Sequence, residues 1–321
     1  MGSCEDIQKR LDAALRGLTG MGPNPGESDA REFRRKMKRP ASPAKGEPSR
    51  DKAAIIYRRD LPHAQARPQP LPLPPGPPVV LEDAVEGQEV CCGEGVRAFL
   101  VARHLREMPG GWDALCEAFA ATMRREGTYL HSRIAEACDG STPTPEEIIF
   151  LDLETGGLGN VPVFLIGVMV WEADSLVVRQ YFARNYAEER AIVSLFAESA
   201  SDKRLLVSFN GKSFDWPFIR MRAAACGVEM AAALPHFDLL HESRRIWKGR
   251  LPNCRLQTLE RHLCGRHREG DIPGQAIPDA YHAYVRTANA VQMLDVLKHN
   301  RLDLITMADL MVRAADAAPP T

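Results

Sequence analysis

Ile148-Ile149-Phe150-Leu151-Asp152-Leu153-Glu154-Thr155-Gly156-Gly157 reads as a buried strand that ends in acid and glycine. Side chains alternate faces along a strand, so Asp152 and Glu154 point one way while Leu151 and Leu153 point into a core. Two carboxylates held side by side at the end of a buried strand repel unless a cation or a proton compensates. Hard oxygen donors at this spacing suit Mg²⁺ or Mn²⁺. Taken alone, the pair also fits a solvated strand end.

Working outward, residues 161–171 and 176–182 are apolar, β-branched runs separated from the first by Gly-rich or acidic turns. They read as two further strands on hairpin-like connections. A helix over 188–200, a strand over 205–209, a helix ending at Cys226-Gly227, a short strand over 236–239 and further helices follow. Three strands and then alternating helices and strands predict an α/β domain on a mixed central sheet flanked by helices, expected over residues 146–314. Upstream, 96–104 reads as a strand, and Leu115, Phe119 and Met123 form a helical stripe; residues 81–145 are a preface without an evident role.

More than half of the 24 prolines lie in the first 80 residues, together with the basic run Arg34, Arg35, Lys36, Lys38, Arg39. This arm is expected to be a disordered, basic, Pro-rich segment, with one short helix over 1–19 and polyproline geometry over 68–78. A protein partner or a phosphate chain could engage it. The 321 residues carry 41 basic and 42 acidic side chains for a formal charge of -1, which argues against tight, indiscriminate binding to nucleic acid. No long apolar run or signal-like start is present, and the eight cysteines include no CxxC; a cytoplasmic chain with no membrane partner is expected.

Two more constellations carry chemistry. In Ser208-Phe209-Asn210-Gly211-Lys212-Ser213-Phe214-Asp215-Trp216-Pro217 a buried strand runs into a glycine turn and a helix start, where polar groups are aimed at ligands. Asp215 near the helix start also suits a cap. In His299-Asn300-Arg301-Leu302-Asp303, within a helix expected over 289–312, His299 and Asp303 share a face, a pattern that also suits a surface pair.

Together the three segments resemble the DEDD superfamily of 3′ to 5′ exonucleases on the ribonuclease H-like fold. The nearest likeness is to the YprB-like ribonuclease H-like domain family, which is also similar to the proofreading domains of family B DNA polymerases. Asp152, Glu154 and Thr155 match the first motif; Asn210, Gly211, Phe214, Asp215 and Pro217 the second; His299, Asn300 and Asp303 the third. The resemblance implies two Mg²⁺ or Mn²⁺ ions held by Asp152, Glu154, Asp215 and Asp303, with His299, four residues before Asp303, as general base. It further implies a pocket for the end of a single DNA or RNA strand, lined by Thr155, Gly156, Gly157, Leu158, Asn210, Lys212, Phe214 and Asn300. The basic stretch from Arg244 and Arg245 to Arg268 contains one acid, Glu260, and is expected to track phosphates. The expected activity is 3′ to 5′ exonucleolytic hydrolysis. The alternatives are an endonuclease on branched or hybrid substrates and a binding module without turnover.

Overall fold

The computed structural model describes residues 76–92, 95–157, 159, 161–230 and 234–317. The expectations for the arm up to residue 75, its short helix included, and the pocket role of Leu158 lie outside these residues. A single turn, α1 (Leu81–Ala84), leads into the antiparallel strands β1 (Gln88–Cys92) and β2 (Val96–His104). Helices α2 (Asp113–Arg124) and α3 (Tyr129–Ala137) follow, the second capped by Thr128, whose Oγ1 accepts from the His131 N–H at 3.0 Å. Then come the strands β3 (Ile148–Thr155), β4 (Val163–Glu172) and β5 (Ser175–Phe182).

Residues 163 to 171 of β4 are all buried, so the run shows no apolar–polar alternation, as befits a strand covered on both faces. Ala173 and Asp174 connect β4 to β5 with φ of 46° and 58°, the mirror-image turn that matches strand twist. The remainder alternates: α4 (Glu189–Ser199), β6 (Leu205–Ser208), α5 (Asp215–Cys226), β7 (His236–Asp238), α6 (Leu239–Trp247), α7 (Leu256–Leu263), α8 (Ile277–Thr287) and α9 (Val291–Ala315). Gly227 closes α5 at φ 65°, and the Val228 N–H bonds back to the Ala223 carbonyl at 2.9 Å.

The seven strands form one sheet in the order β1-β2-β5-β4-β3-β6-β7. It is antiparallel up to β3, and parallel from β3 through β6 to β7. The sheet is therefore mixed, and residues 88–104 belong to it. Alternate residues of β3 serve opposite faces: Ile149 and Leu151 join Ile192, Val193 and Phe196 of α4, whereas Ile148 and Phe150 join Leu304, Ile305 and Ala308 of α9. Asp152 and Glu154 continue the row of Ile148 and Phe150, toward α9. The parallel trio brings the carboxyl ends of β3, β6 and β7 to one edge, where open α/β sheets hold ligands. Among the described residues no helix is long and apolar enough to cross a membrane.

Candidate functional site

Asp152 and Glu154 reach the site from β3, Asp215 from the first turn of α5, and Asp303 from the middle of α9. All four are partly buried. Burial raises the Asp152 carboxyl well above its ordinary range, and the charges of Asp303, Glu154 and Asp215 push it further. Burial again leads for Glu154, followed by Asp303 and Asp215. Asp215 is pushed up to about 7, mainly by burial, with backbone hydrogen bonds at its own residue and at Leu153 opposing. Asp303 is raised by burial, against the pull of Arg268 and His299. The four acids thus share one electrostatic environment. Among the described residues no group of three or more His, Cys, Asp or Glu side chains is placed around one point as metal ligands.

Asp152 is held from the side. It lies opposite Gly167 of β4, which lies opposite Gln180 of β5. The Asn300 amide occupies the space over Gly167: its Nδ2 donates to Asp152 Oδ2 at 2.7 Å and its Oδ1 accepts from Gln180 Nε2 at 2.8 Å. A Cβ on Gly167 would stand 2.2 Å from Asn300 Oδ1, so this position has room only for glycine. Asn300 is fully buried. Both ends of its amide are committed, the Nδ2 end to Asp152.

The turn after β6 is shaped by a residue with no role in the sequence reading. Asp238, buried at the end of β7, accepts from the backbone N–H of Asn210 at 2.8 Å, of Lys212 at 3.1 Å and of Leu240 at 3.0 Å. This holds Asn210 in the left-handed region at φ 66°. Gly211 passes so close to Ser208 that a Cβ would meet its Oγ at 2.3 Å, and Asp215 Oδ2 at 3.0 Å. Ser208 Oγ pairs with His236 Nε2 at 2.7 Å, and burial lowers that imidazole to about 4, so it is neutral. Lys212 is exposed at the rim.

Phe214 is 63% exposed beside Asp215, unusual for a large aromatic. It lines a cavity of about 370 Å³ with Leu153, Thr155, Gly157, Gly159, Asp215 and Phe218. Thr155 Oγ1 donates to the Gly157 carbonyl at 2.9 Å, and the Gly156 carbonyl meets His282 Nε2 at 2.8 Å. The predicted glycine segment and Phe214 therefore enclose one space, with Asp215 in its wall.

His299 is 8% exposed. Its Nδ1 stands 3.0 Å from both carboxylate oxygens of Asp271, and its Nε2 stands 3.6 Å from Asp303 Oδ2. Asp303 has a second neighbour, Arg268 Nη2 at 2.6 Å. That guanidinium also pairs with Glu260 at 2.6 Å and Asp271 at 3.4 Å. Asp271 and Arg268 lie in the loop before α8, remote in sequence from all three motifs, which is why sequence reading passes over their part in the site. Arg266 is spent likewise, on Asp309 at 2.5 Å and Glu260 at 3.4 Å. The basic stretch is thus split. Arg244 and Arg245 are exposed in the last turn of α6, Arg245 facing Glu242 at 3.4 Å, two turns beyond the end that Asp238 caps. The structure does not bring them among the acids.

Residues 149–315 match the family model described as the RNase_H superfamily. The chain is 33% identical over 172 residues to the uncharacterized protein YprB of Bacillus subtilis (strain 168), a match that covers 51% of this chain and 41% of that relative. The chain thus spans less than half the length of that relative. Among solved structures it is similar to the family B DNA polymerase of the hyperthermophilic archaeon Pyrobaculum calidifontis, with 16% identity and a TM-score of 0.42 over 54% of this chain and 25% of the other. It is also similar to the Aedes aegypti Nibbler EXO domain, with 15% identity and a TM-score of 0.29 over 55% of this chain and 91% of the other.

Proposed function

Since the chain belongs to the RNase_H superfamily, we propose that it is a metal-dependent nuclease, and specifically a 3′ to 5′ exonuclease acting on single-stranded ends. The observation that carries the reading is the meeting of Asp152, Glu154, Asp215 and Asp303 in one electrostatic environment, beside a cavity that exposes Phe214. Four oxygen donors whose charged forms are held back by burial and mutual repulsion fit hard divalent cations, Mg²⁺ or Mn²⁺, which favour carboxylate ligands. Such ions supply Lewis-acid polarisation of a phosphoryl oxygen and of an attacking water.

The remaining steps belong to side chains. A proton on His299 Nδ1 satisfies both oxygens of Asp271, which leaves Nε2 to accept the proton of the attacking water. Asn300 fixes the rotamer of Asp152. Phe214 stacks on the terminal base, an interaction worth about 1 to 3 kcal/mol, while Thr155 and Gly157 shape the pocket for its sugar. Whether the strand is DNA or RNA depends on contacts to the 2′-hydroxyl.

A rival draws on the Arg268 guanidinium, which already sits on Asp303 and suits a module that binds nucleic acid without turnover. Strands labelled at either end, incubated with the purified chain and with Asp152→Ala in Mn²⁺ or Mg²⁺, separate the readings. A ladder shrinking from the 3′ end, absent with Asp152→Ala, is expected. Internal cuts mean an endonuclease. Binding without metal-dependent cleavage means the module.

A further inference from the structure

On the flank of α9 opposite His299 and Asp303, Lys298 and Arg301 are one helical turn apart and line a separate cavity of about 170 Å³. Arg103 and Glu86 face them from β2 and the segment after α1, and Gln180 of β5 completes the lining. Two buried polar atoms here lack a hydrogen-bond partner among the described residues, Gln180 Oε1 and Arg301 Nε. Gln180 has no exposed surface. Its Nε2 donates to the Leu297 carbonyl and to Asn300 Oδ1, both at 2.8 Å. Both partners are acceptors, so the amide cannot be turned round, and Oε1 is left needing a donor.

The charges are unbalanced as well. Arg301 faces Arg103 across the cavity, its Nε is buried without a hydrogen-bond partner, and no carboxylate among the described residues pairs with it. The nearest carboxylate to Arg103 is Glu86, 3.6 Å away with its side chain 90% exposed. Water would satisfy Gln180 and exposed Lys298, and Arg103 donates to the Ala102 and Glu86 carbonyls at 2.8 and 2.7 Å, but the half-buried charge of Arg301 is left without an anion. What fits both demands is an anion that also carries a proton to donate.

We propose that this cavity binds a protonated tetrahedral oxyanion, inorganic hydrogen phosphate. Its oxygens accept from Arg301, Arg103 and Lys298, and its P–OH donates to Gln180 Oε1. At roughly 30 Å³ per water, the cavity holds one such group with a few waters, and no base with its sugar. The Gln180 amide joins the cavity to the acid cluster through Asn300 and Asp152.

The test is calorimetric titration of the full chain in EDTA with inorganic phosphate and with sulfate. EDTA silences metal-dependent cleavage and the readout is binding, so the result is independent of the nuclease reading. Saturable binding of phosphate is expected. Sulfate, which has no proton to give Gln180 at neutral pH, should bind at least tenfold more weakly. Arg301→Met should weaken phosphate binding at least tenfold, and exposed Lys298→Ala about threefold without touching the fold. No binding at tens of millimolar, sulfate matching phosphate, or unchanged affinity in both variants overturns the proposal. If Arg301→Met does not fold, Lys298→Ala alone decides.

Discussion

Gly167 is where the smallest residue has the largest effect on the acids. It faces Asp152 across one strand pair and Gln180 across the other, and the Asn300 amide fills the volume a methyl group would take. Gly167→Ala should therefore displace Asn300 and free Asp152 to rotate, costing about 1 to 3 kcal/mol of stability, as overpacking does, together with most of the cleavage rate. Asn300→Ala should cost a similar amount by leaving Gln180 Nε2 without its side-chain acceptor. If the two act through one contact, the double variant is scarcely worse than Asn300→Ala alone. Additive losses in urea denaturation would refute the link. The sequence marked Asn300 beside His299, but nothing in a linear motif shows a glycine on another strand making room for its amide.

At the scale of elements, the three motifs were legible because each is local: an acid pair on one strand, a turn entering a helix, and two residues one helical turn apart. The loop before α8 was not, because its ion pairs close over long separations. Arg268 meets Asp303, and Arg266 meets Asp309, across the groove between that loop and α9. A basic stretch that looked uniform therefore divides into arginines spent on ion pairs beside α9 and exposed arginines on α6, of which Arg245 faces Glu242. Arg268→Met removes a cation whose side chain is 5% exposed from three carboxylates. It should cost about 3 to 5 kcal/mol, the range for breaking a buried ion pair. Mn²⁺ should recover part of that stability, since cations at Asp303 relieve the same repulsion; a melting temperature equally low with and without Mn²⁺ would count against this. Arg244→Ala with Arg245→Ala should leave stability within about 0.5 kcal/mol, as surface changes do. If both arginines engage the backbone, the double change flattens the salt dependence of single-strand binding by about 0.7 in slope for each phosphate no longer neutralised. An unchanged slope would remove both from the nucleic-acid path.

For the whole molecule, the mixed sheet was legible from β3 onward because its antiparallel strands follow one another along the chain. The part played by residues 88–104 was not, because β2 pairs with β5, far along the sequence. What the assembled domain adds is a shared electrostatic burden. Asp152, Glu154, Asp215 and Asp303 all have raised proton affinities, Asp215 up to about 7 from an ordinary 3.8. A carboxyl whose folded value lies above its unfolded value binds more protons folded than unfolded between the two. Its stabilisation is complete below about 3.8 and is lost as pH rises through 7. In EDTA the melting temperature should therefore fall from pH 5 to pH 8, and Asp215→Asn should flatten that fall. A divalent ion that binds only the folded chain adds about 2.7 kcal/mol at a hundred times its dissociation constant. It binds best when the acids are ionised, so saturating Mn²⁺ should reverse the order and make pH 8 the more stable condition. A profile in EDTA that is flat or rising, or one that Mn²⁺ shifts equally at pH 5 and pH 8, would show that the four acids do not share the site proposed for them.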